Sequence, residues 1–110
     1  KVKIWSNKPK RDFIFTEDAA DAVLKLIETD FVGTINLGTG KMSSLEEICN
    51  IIEEFSGKKV ISENKDVTGP MEFVTDISKL QKLINWKPKH DIYNGLKKTF
   101  DIMSGYHKEN

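Results

Sequence analysis

Several features that would narrow the function of this chain of 110 residues are scarce or missing. Its one cysteine, Cys49, excludes an intrachain disulfide, and with two histidines there are too few cysteine and histidine ligands for a zinc site. No apolar run approaches the roughly 20 residues that a transmembrane helix needs. These absences predict a protein without a metal site or a membrane partner, in a reducing compartment such as the cytoplasm.

An excess of charge of one sign is also missing, because basic and acidic side chains are equal in number at 17 each. A nucleic-acid partner is therefore not expected, since no basic excess and no stripe of interleaved aromatic and basic residues is present. With 38% hydrophobic and 31% charged residues, the composition is that of one globular domain with a modest core. The chain starts abruptly at Lys1 with a strand-like segment, which we interpret as a cut from something longer.

Short strand-like segments alternate with helical patterns along the chain, which predicts an α/β fold of short strands with packed helices. The strands are expected at residues 2–5, 12–15, 34–37, 60–62 and 72–75. A polar loop between the first two strands predicts a hairpin. The polar segment 63–70 is expected to be a surface loop.

Four helices are expected, each with an apolar stripe and a capping residue. Thr16 is predicted to cap the first helix. Ser43 is predicted to cap the second helix, because Glu46 stands three residues later at the spacing of a capping box. Asp76 is predicted to cap the third helix and Asp91 the fourth helix. Gly57 is predicted to end the second helix. The predicted inward stripe of the first helix is Ala20, Val23, Leu24 and Ile27, with Asp18 and Asp21 on the opposite face. The predicted stripe of the second helix is Leu45, Ile48, Ile52 and Phe55. That of the third helix is Ile77, Leu80, Leu83 and Ile84, and that of the fourth is Ile92, Leu96, Phe100 and Met103. The tail from Gly105 is expected to fray.

Two short motifs suggest catalysis or phosphate binding and are better explained structurally. Gly38-Thr39-Gly40 follows a strand-like run, but the spacing matches neither a Walker loop nor a dinucleotide fingerprint, so we interpret it as a turn. Tyr93 and Lys97 reproduce a Tyr-x-x-x-Lys spacing, but Tyr93 lies beside an apolar stripe where its ring would pack. His90 and His107 lack sequence neighbours for a triad or a metal site. No catalytic residue is therefore assigned.

In their order and spacing, three segments resemble the C-terminal, substrate-binding half of the extended short-chain dehydrogenase/reductase family, the NAD-dependent nucleotide-sugar epimerases and dehydratases. These segments are RDFIFTEDAADAV (11–23), TINLGTGKMSSLEE (34–47) and TDISKLQKLINWKP (75–88). The resemblance implies a fragment of a Rossmann-type enzyme, a single C-terminal nucleotide-sugar-binding domain over residues 1–110. It also implies that NAD or NADP is bound by the missing N-terminal half, so that the fragment binds no cofactor and is inactive alone.

The resemblance assigns candidate binding residues for a nucleotide diphosphate sugar. Arg11, which opens the RDF segment, would bind the diphosphate, since a guanidinium binds phosphate oxygens bidentately. Lys65 would supply a second positive charge to the diphosphate. Many members of the family have the motif Arg-Pro-Gly-Asp in this loop, whereas the present sequence is closer to the motif Lys-Pro-x-Gly of fucose synthases and some deoxysugar reductases. Phe73 falls near the sugar, with strand packing as its alternative role. Asp12 is expected to orient the end of the strand, and Trp86 to be structural.

Two alternatives remain open at this stage. The chain would show the same capped helices and short strands if it were a stand-alone, non-enzymatic binding or interaction domain. It would also fit the same half of a nucleotide-deoxysugar reductase or synthase. If the chain is a fragment, elements that pack on a larger domain would leave apolar strand residues without neighbours, with Val2, Ile4, Ile14 and Ile35 as the candidates. We therefore expect the isolated chain to form a homodimer or to be marginally stable.

Overall fold

A computed structural model describes the backbone of residues 1–109 and the side chains of residues 1–105. The strands are β1 (Val2–Ile4), β2 (Lys10–Arg11), β3 (Ser43–Ser44) and β4 (Val60–Ser62). The helices are α1 (Thr16–Ile27), α2 (Leu45–Ser56), α3 (Ser78–Ile84) and α4 (Ile92–Glu109). This mixture of short strands and longer helices confirms the predicted α/β class.

The strands form two small sheets whose pairing differs from the predicted hairpin. Strand β1 pairs in parallel with β4, in the register Val2 with Val60, and β2 pairs antiparallel with β3. The hairpin prediction is wrong because β1 pairs with β4, which follows α1 and α2 in the sequence. Parallel strands need such a long crossover connection. Segment 12–15 is not a strand, since β2 ends at Arg11 and α1 begins at Thr16.

Two further predicted strands are also absent from the described residues. Segment 34–37 has no ladder partner, and in segment 72–75 only Glu72 forms an isolated bridge, to Lys10. A strand requires a neighbour to which its backbone N–H and C=O groups can bond. The apolar character of these segments is real, however, because Ile35 and Leu37 pack against the core.

The core lies between α1, α3 and the connection that follows α3. Its fully packed side chains are Ala22, Ile77, Leu80 and Trp86. Trp86 is 1% exposed, which confirms its predicted structural role. Helix α2 packs against α4, where the Phe55 ring meets the rings of Tyr93 and Phe100.

Helix α1 turns the opposite face inward from the one predicted. Val23, Leu24 and Ile27 are 46%, 63% and 72% exposed, whereas Asp18 and Ala22 are 2% and 0% exposed. The prediction that Asp18 lies on the outer face is therefore wrong. The physical reason is that the small Ala22 side chain allows α1 to lie close to α3. In addition, Asp18 binds two backbone N–H groups of the connection that follows α3.

The caps are close to the predicted ones. The capping pair of α2 lies one residue later than the predicted Ser43 and Glu46. The Ser44 hydroxyl accepts a hydrogen bond from the Glu47 N–H at 3.0 Å. Asp91 accepts from the Asn94 N–H and Gly57 ends α2 at φ 69°, both as predicted. Thr16 is the first helical residue, not the cap, and α4 continues to Glu109 where fraying was expected.

Candidate functional site

The Asp12 carboxylate holds the Gly-Thr-Gly turn in place. It accepts hydrogen bonds from the backbone N–H groups of Thr39, Gly40 and Thr75 at 2.9 to 3.2 Å, and from the Thr39 hydroxyl. Burial raises the pKa of Asp12, but these hydrogen bonds outweigh it and hold the pKa below its ordinary value. Asp12 therefore has a structural role, but the prediction that it orients the end of a strand is wrong, because it orients the Gly-Thr-Gly turn.

Gly38 is required by this arrangement. A Cβ atom at this position would lie 2.6 Å from the Thr75 Cβ atom and 2.8 Å from an Asp12 carboxylate oxygen. No real side chain accepts such distances, so only glycine allows the turn to approach both groups. The interpretation of Gly38-Thr39-Gly40 as a structural turn is therefore confirmed.

A second carboxylate, Asp18, holds the connection between α3 and α4. It accepts from the backbone N–H groups of Lys89 and His90, each at 3.1 Å, and its oxygens lie 3.1 and 3.2 Å from the His90 Nδ1 atom. Burial raises the pKa of Asp18, and the hydrogen bonds from His90 and Lys89 outweigh it, so that the pKa lies below its ordinary value. His90 therefore has a hydrogen-bond partner, distant in sequence, that the sequence analysis did not indicate.

A cleft of about 680 Å³ opens between the two segments that these carboxylates hold. One wall comes from the turn and β3, with Thr39, Lys41, Met42 and Ser43. The other comes from the connection before α4, with Lys87, Lys89, His90 and Asp91. The cleft was not predicted, because its walls are distant in sequence and meet only in the folded chain, where the two carboxylates bind them.

Arg11 lies at the end of β2 and is held in one orientation. Its Nη1 atom donates to the carbonyl oxygens of Lys10 at 2.8 Å and Met71 at 3.2 Å. Its Nε and Nη2 atoms have no hydrogen-bond partner among the described residues, so the outer edge of the guanidinium remains available to a ligand. Arg11 does not line the cleft.

Phe73 lies near Arg11, whereas Lys65 lies at the other end of the same loop. The Phe73 N–H donates to the Lys10 carbonyl at 3.1 Å, and its side chain is 54% exposed. The Lys65 Nζ atom lies 3.0 Å from a Glu63 carboxylate oxygen and 4.9 Å from the centre of the Trp5 ring. The structure thus brings Arg11 and Phe73 together, while Lys65 is occupied by an acidic and an aromatic neighbour.

Trp5 is a candidate that the sequence did not indicate. It is 63% exposed, and its Nε1 atom donates to the Asp66 carbonyl at 3.0 Å. An indole is rarely left this exposed, and the bond to Asp66 fixes its ring beside Lys65. The available signal was an aromatic residue at the end of the first strand, where a polar loop begins.

The remaining candidates have structural roles or lie outside the described side chains. Tyr93 donates to Glu54 at 3.1 Å and Lys97 binds Asp101 at 3.0 Å, so each of the two side chains contacts a different acidic residue. Burial, and then the Glu53 charge, raises the pKa of the Cys49 thiol. The side chain of His107 is not among those described.

Neither a metal site nor a membrane span is found in the part of the chain that the structure describes. There, no three histidine, cysteine, aspartate or glutamate side chains are grouped so that they could hold a metal ion. No described helix has the length and apolar character to cross a bilayer.

Comparison with known proteins identifies curated relatives, although no family model matches the chain. It is 37% identical to a UDP-glucuronate 4-epimerase of Thermodesulfobacterium geofontis, over 89% of this chain and 32% of the relative. It is 32% identical to a probable GDP-L-fucose synthase of Oryza sativa, over 90% of this chain and 31% of the relative. The chain therefore spans about a third of the length of the curated relatives that it matches.

The fold comparison agrees with the sequence comparison. A UDP-glucuronic acid 4-epimerase from Bacillus cereus, solved in complex with UDP-glucuronic acid and NAD, matches with a TM-score of 0.81 at 27% identity. The match covers 94% of this chain and 35% of that protein. The described elements therefore have the arrangement of about a third of a Rossmann-type nucleotide-sugar enzyme.

Proposed function

The chain belongs, over about a third of its relatives' length, to the NAD-dependent nucleotide-sugar epimerase and dehydratase family, and from this premise we propose that it binds the nucleotide diphosphate sugar. In this proposal the chain is a single C-terminal domain of a longer enzyme. NAD or NADP is bound by the other part of that enzyme, where the catalytic groups also lie. The 110 residues alone turn nothing over.

The observation that carries the proposal is the geometry of Arg11. Two backbone carbonyls fix one edge of its guanidinium, so little conformational freedom is lost when a ligand binds the other edge. A fixed, planar group with several N–H donors suits the oxygens of a diphosphate. Phe73, exposed beside Arg11, would contact the sugar.

The loop between Glu63 and Met71 would form the rest of the site. Lys65 would contribute charge at its far end, after exchanging its contact with Glu63 for a phosphate oxygen. The exposed face of Trp5, fixed next to Lys65, offers a flat apolar surface for a ring of the ligand. Gly69, at φ 91°, lets this loop turn without strain.

Two further parts of the proposal concern assembly and location. The face of α1 formed by Val23, Leu24 and Ile27 is exposed, and such a surface promotes association. We therefore expect the 110-residue chain to form a homodimer at high concentration. The single half-buried thiol of Cys49 suits the reducing cytoplasm.

Ligand titration followed by NMR chemical shifts tests the proposal. UDP-, GDP-, CDP- and dTDP-sugars are each added to the labelled chain, to Arg11→Ala and to Lys8→Ala, which removes an exposed charge from the same stretch of the chain. We expect shifts at Arg11, Phe73 and the Trp5 indole with one nucleotide, lost in Arg11→Ala and kept in Lys8→Ala. Arg11→Lys should recover part of the affinity, because it restores the charge without the planar edge.

Two outcomes would contradict the proposal. Shifts that persist in Arg11→Ala would remove Arg11 from the site. The absence of shifts with every nucleotide sugar, both for the 110 residues and for a longer protein that contains them, would remove the function itself.

A further inference from the structure

We propose that the cleft between the Gly-Thr-Gly turn and the start of α4 is a second binding site, for a small metabolite that carries a phosphate group and an apolar ring. This inference does not depend on the proposed function, because neither Arg11 nor Lys65 lines the cleft. The cleft volume of about 680 Å³ lies in the range of small-molecule sites.

The charges around the cleft favour an anion. Lys41, Lys87 and Lys89 line it, and none of the three forms a salt bridge with a described residue. The acidic side chains of the lining are Glu47 and Asp91. Asp91 accepts the Asn94 N–H at the start of α4, and the three lysines outnumber the two acidic side chains of the lining.

The two walls of the cleft are held rigidly by the rest of the molecule. Asp12 holds the turn through the backbone N–H groups of Thr39 and Gly40, and Asp18, 2% exposed, holds Lys89 and His90 through two more. Lys89 therefore projects from a fixed backbone position, and the Lys41 N–H is bound by the Thr39 hydroxyl at 3.1 Å. A ligand that bridges the walls would not have to order either loop, which lowers the entropic cost of binding.

The other lining groups specify the class of ligand. Phe13 and Met42 are 39% and 38% exposed at the cleft and provide an apolar surface for a ring. The Ser43 hydroxyl and the Asn94 amide provide neutral donors beside the lysines. Lysine binds phosphate as a point charge, which suits a single phosphate group placed between the two walls.

Phenyl phosphate, which combines one ring and one phosphate, is a suitable probe, with inorganic phosphate and sodium chloride of matched ionic strength as comparisons. It would be titrated into the chain while the amide signals of Phe13, Ser43, Lys89 and Asn94 are followed by NMR. The double variant Lys87→Ala/Lys89→Ala removes two charges from the cleft. The double variant Lys8→Ala/Lys58→Ala removes two exposed charges that do not line it.

We expect phenyl phosphate to bind about tenfold more weakly to Lys87→Ala/Lys89→Ala than to the unchanged chain, and equally to the control variant. Inorganic phosphate should bind more weakly than phenyl phosphate, since it makes no contact with Phe13 or Met42. Arg11→Ala should retain phenyl phosphate binding, which separates this site from the nucleotide-sugar site.

Equal affinity in the two double variants would overturn the proposal, as would shifts spread evenly over exposed lysines. An affinity for phenyl phosphate no greater than that for inorganic phosphate would overturn the ring-bearing class of ligand. Because all four lysines are exposed, their substitution should leave the Trp86 indole signal unchanged, which verifies that each variant is folded.

Discussion

Helices α1 and α2 have the same length and similar amphipathic patterns, yet they are packed in opposite ways. In α2 the apolar side chains turn inward, and Ile51 is its most buried residue. In α1 a carboxylate and a methyl group, Asp18 and Ala22, turn inward while Leu24 and Ile27 face outward. An apolar stripe therefore shows that a helix has a face to bury, but not which neighbour buries it.

The difference also indicates what each helix does. Helix α2 is stabilised by apolar contact with α4 within this chain. Helix α1 contributes Ala22 and Leu26 to the core and is also held by the Asp18 carboxylate at a wall of the cleft, while Leu24 and Ile27 remain exposed. The following predictions test this contrast, from the largest expected effect to the smallest.

Replacement of Asp18 by alanine should have the largest effect on stability. Two backbone N–H groups and the His90 ring would lose their acceptor at a site that is 2% exposed, so the free energy of unfolding should fall by about 4 kcal/mol. Urea unfolding measures the change. Glu17→Ala, at the adjacent exposed position of α1, should cost less than about 1 kcal/mol; a similar cost for both variants would mean that Asp18 does not hold the connection.

Truncation of the apolar residues should distinguish the two helices directly. Ile51→Ala in α2 should lower the free energy of unfolding by about 3 kcal/mol, because it leaves a cavity between α2 and α4. Leu24→Ala in α1 should lower it by less than about 0.5 kcal/mol, since Leu24 is 63% exposed. The midpoints of urea unfolding measure the loss of stability in the two variants. A large loss for Leu24→Ala would show that the Leu24 side chain is buried and would contradict the exposed face of α1.

Acid should weaken both carboxylate contacts. The pKa values of Asp12 and Asp18 lie below the ordinary value of 3.8 in the folded chain, so the unfolded chain binds their protons first as the pH falls. Their stabilisation should be present in full above that value and be lost progressively below it, as the pH falls through the folded pKa values. In urea unfolding between pH 6 and 2, Asp12→Asn should have a shallower acid slope than the unchanged chain; parallel slopes would contradict this assignment.

Charge placed on the outer face of α1 should have the smallest effect on folding but a visible effect on association. Leu24→Lys/Ile27→Lys should change the free energy of unfolding by less than about 1 kcal/mol, because both side chains are exposed. Sedimentation should show less dimer than for the unchanged chain. If the dimer persists, the association surface lies elsewhere, for instance at Val2 on the edge of β1.

The accuracy of prediction from sequence varied with the range of the interaction involved. The starts of the helices, the Gly57 terminus and the Asp91 cap depend on residues within a few positions of each other, and these were predicted to within one or two residues. The end of α4 was not, because it continues to Glu109. The hairpin and the strands at 12–15 and 34–37 were wrong because strand pairing depends on distant partners. The cleft was missed for the same reason, since the Asp12 and Asp18 contacts join residues 27 to 72 positions apart.

The amino-acid sequence by itself determined where the helices begin, where α2 ends, which turn needs glycine, and the resemblance to nucleotide-sugar enzymes, because these depend on local conformation and on the order of motifs. The tertiary structure decided which face of α1 is buried and where β1 pairs. It also decided that Arg11 is fixed by Met71 while Lys41, Lys87 and Lys89 meet around one cleft. The physical reason is that burial and pairing depend on which surfaces meet, and those surfaces come from segments far apart in the chain.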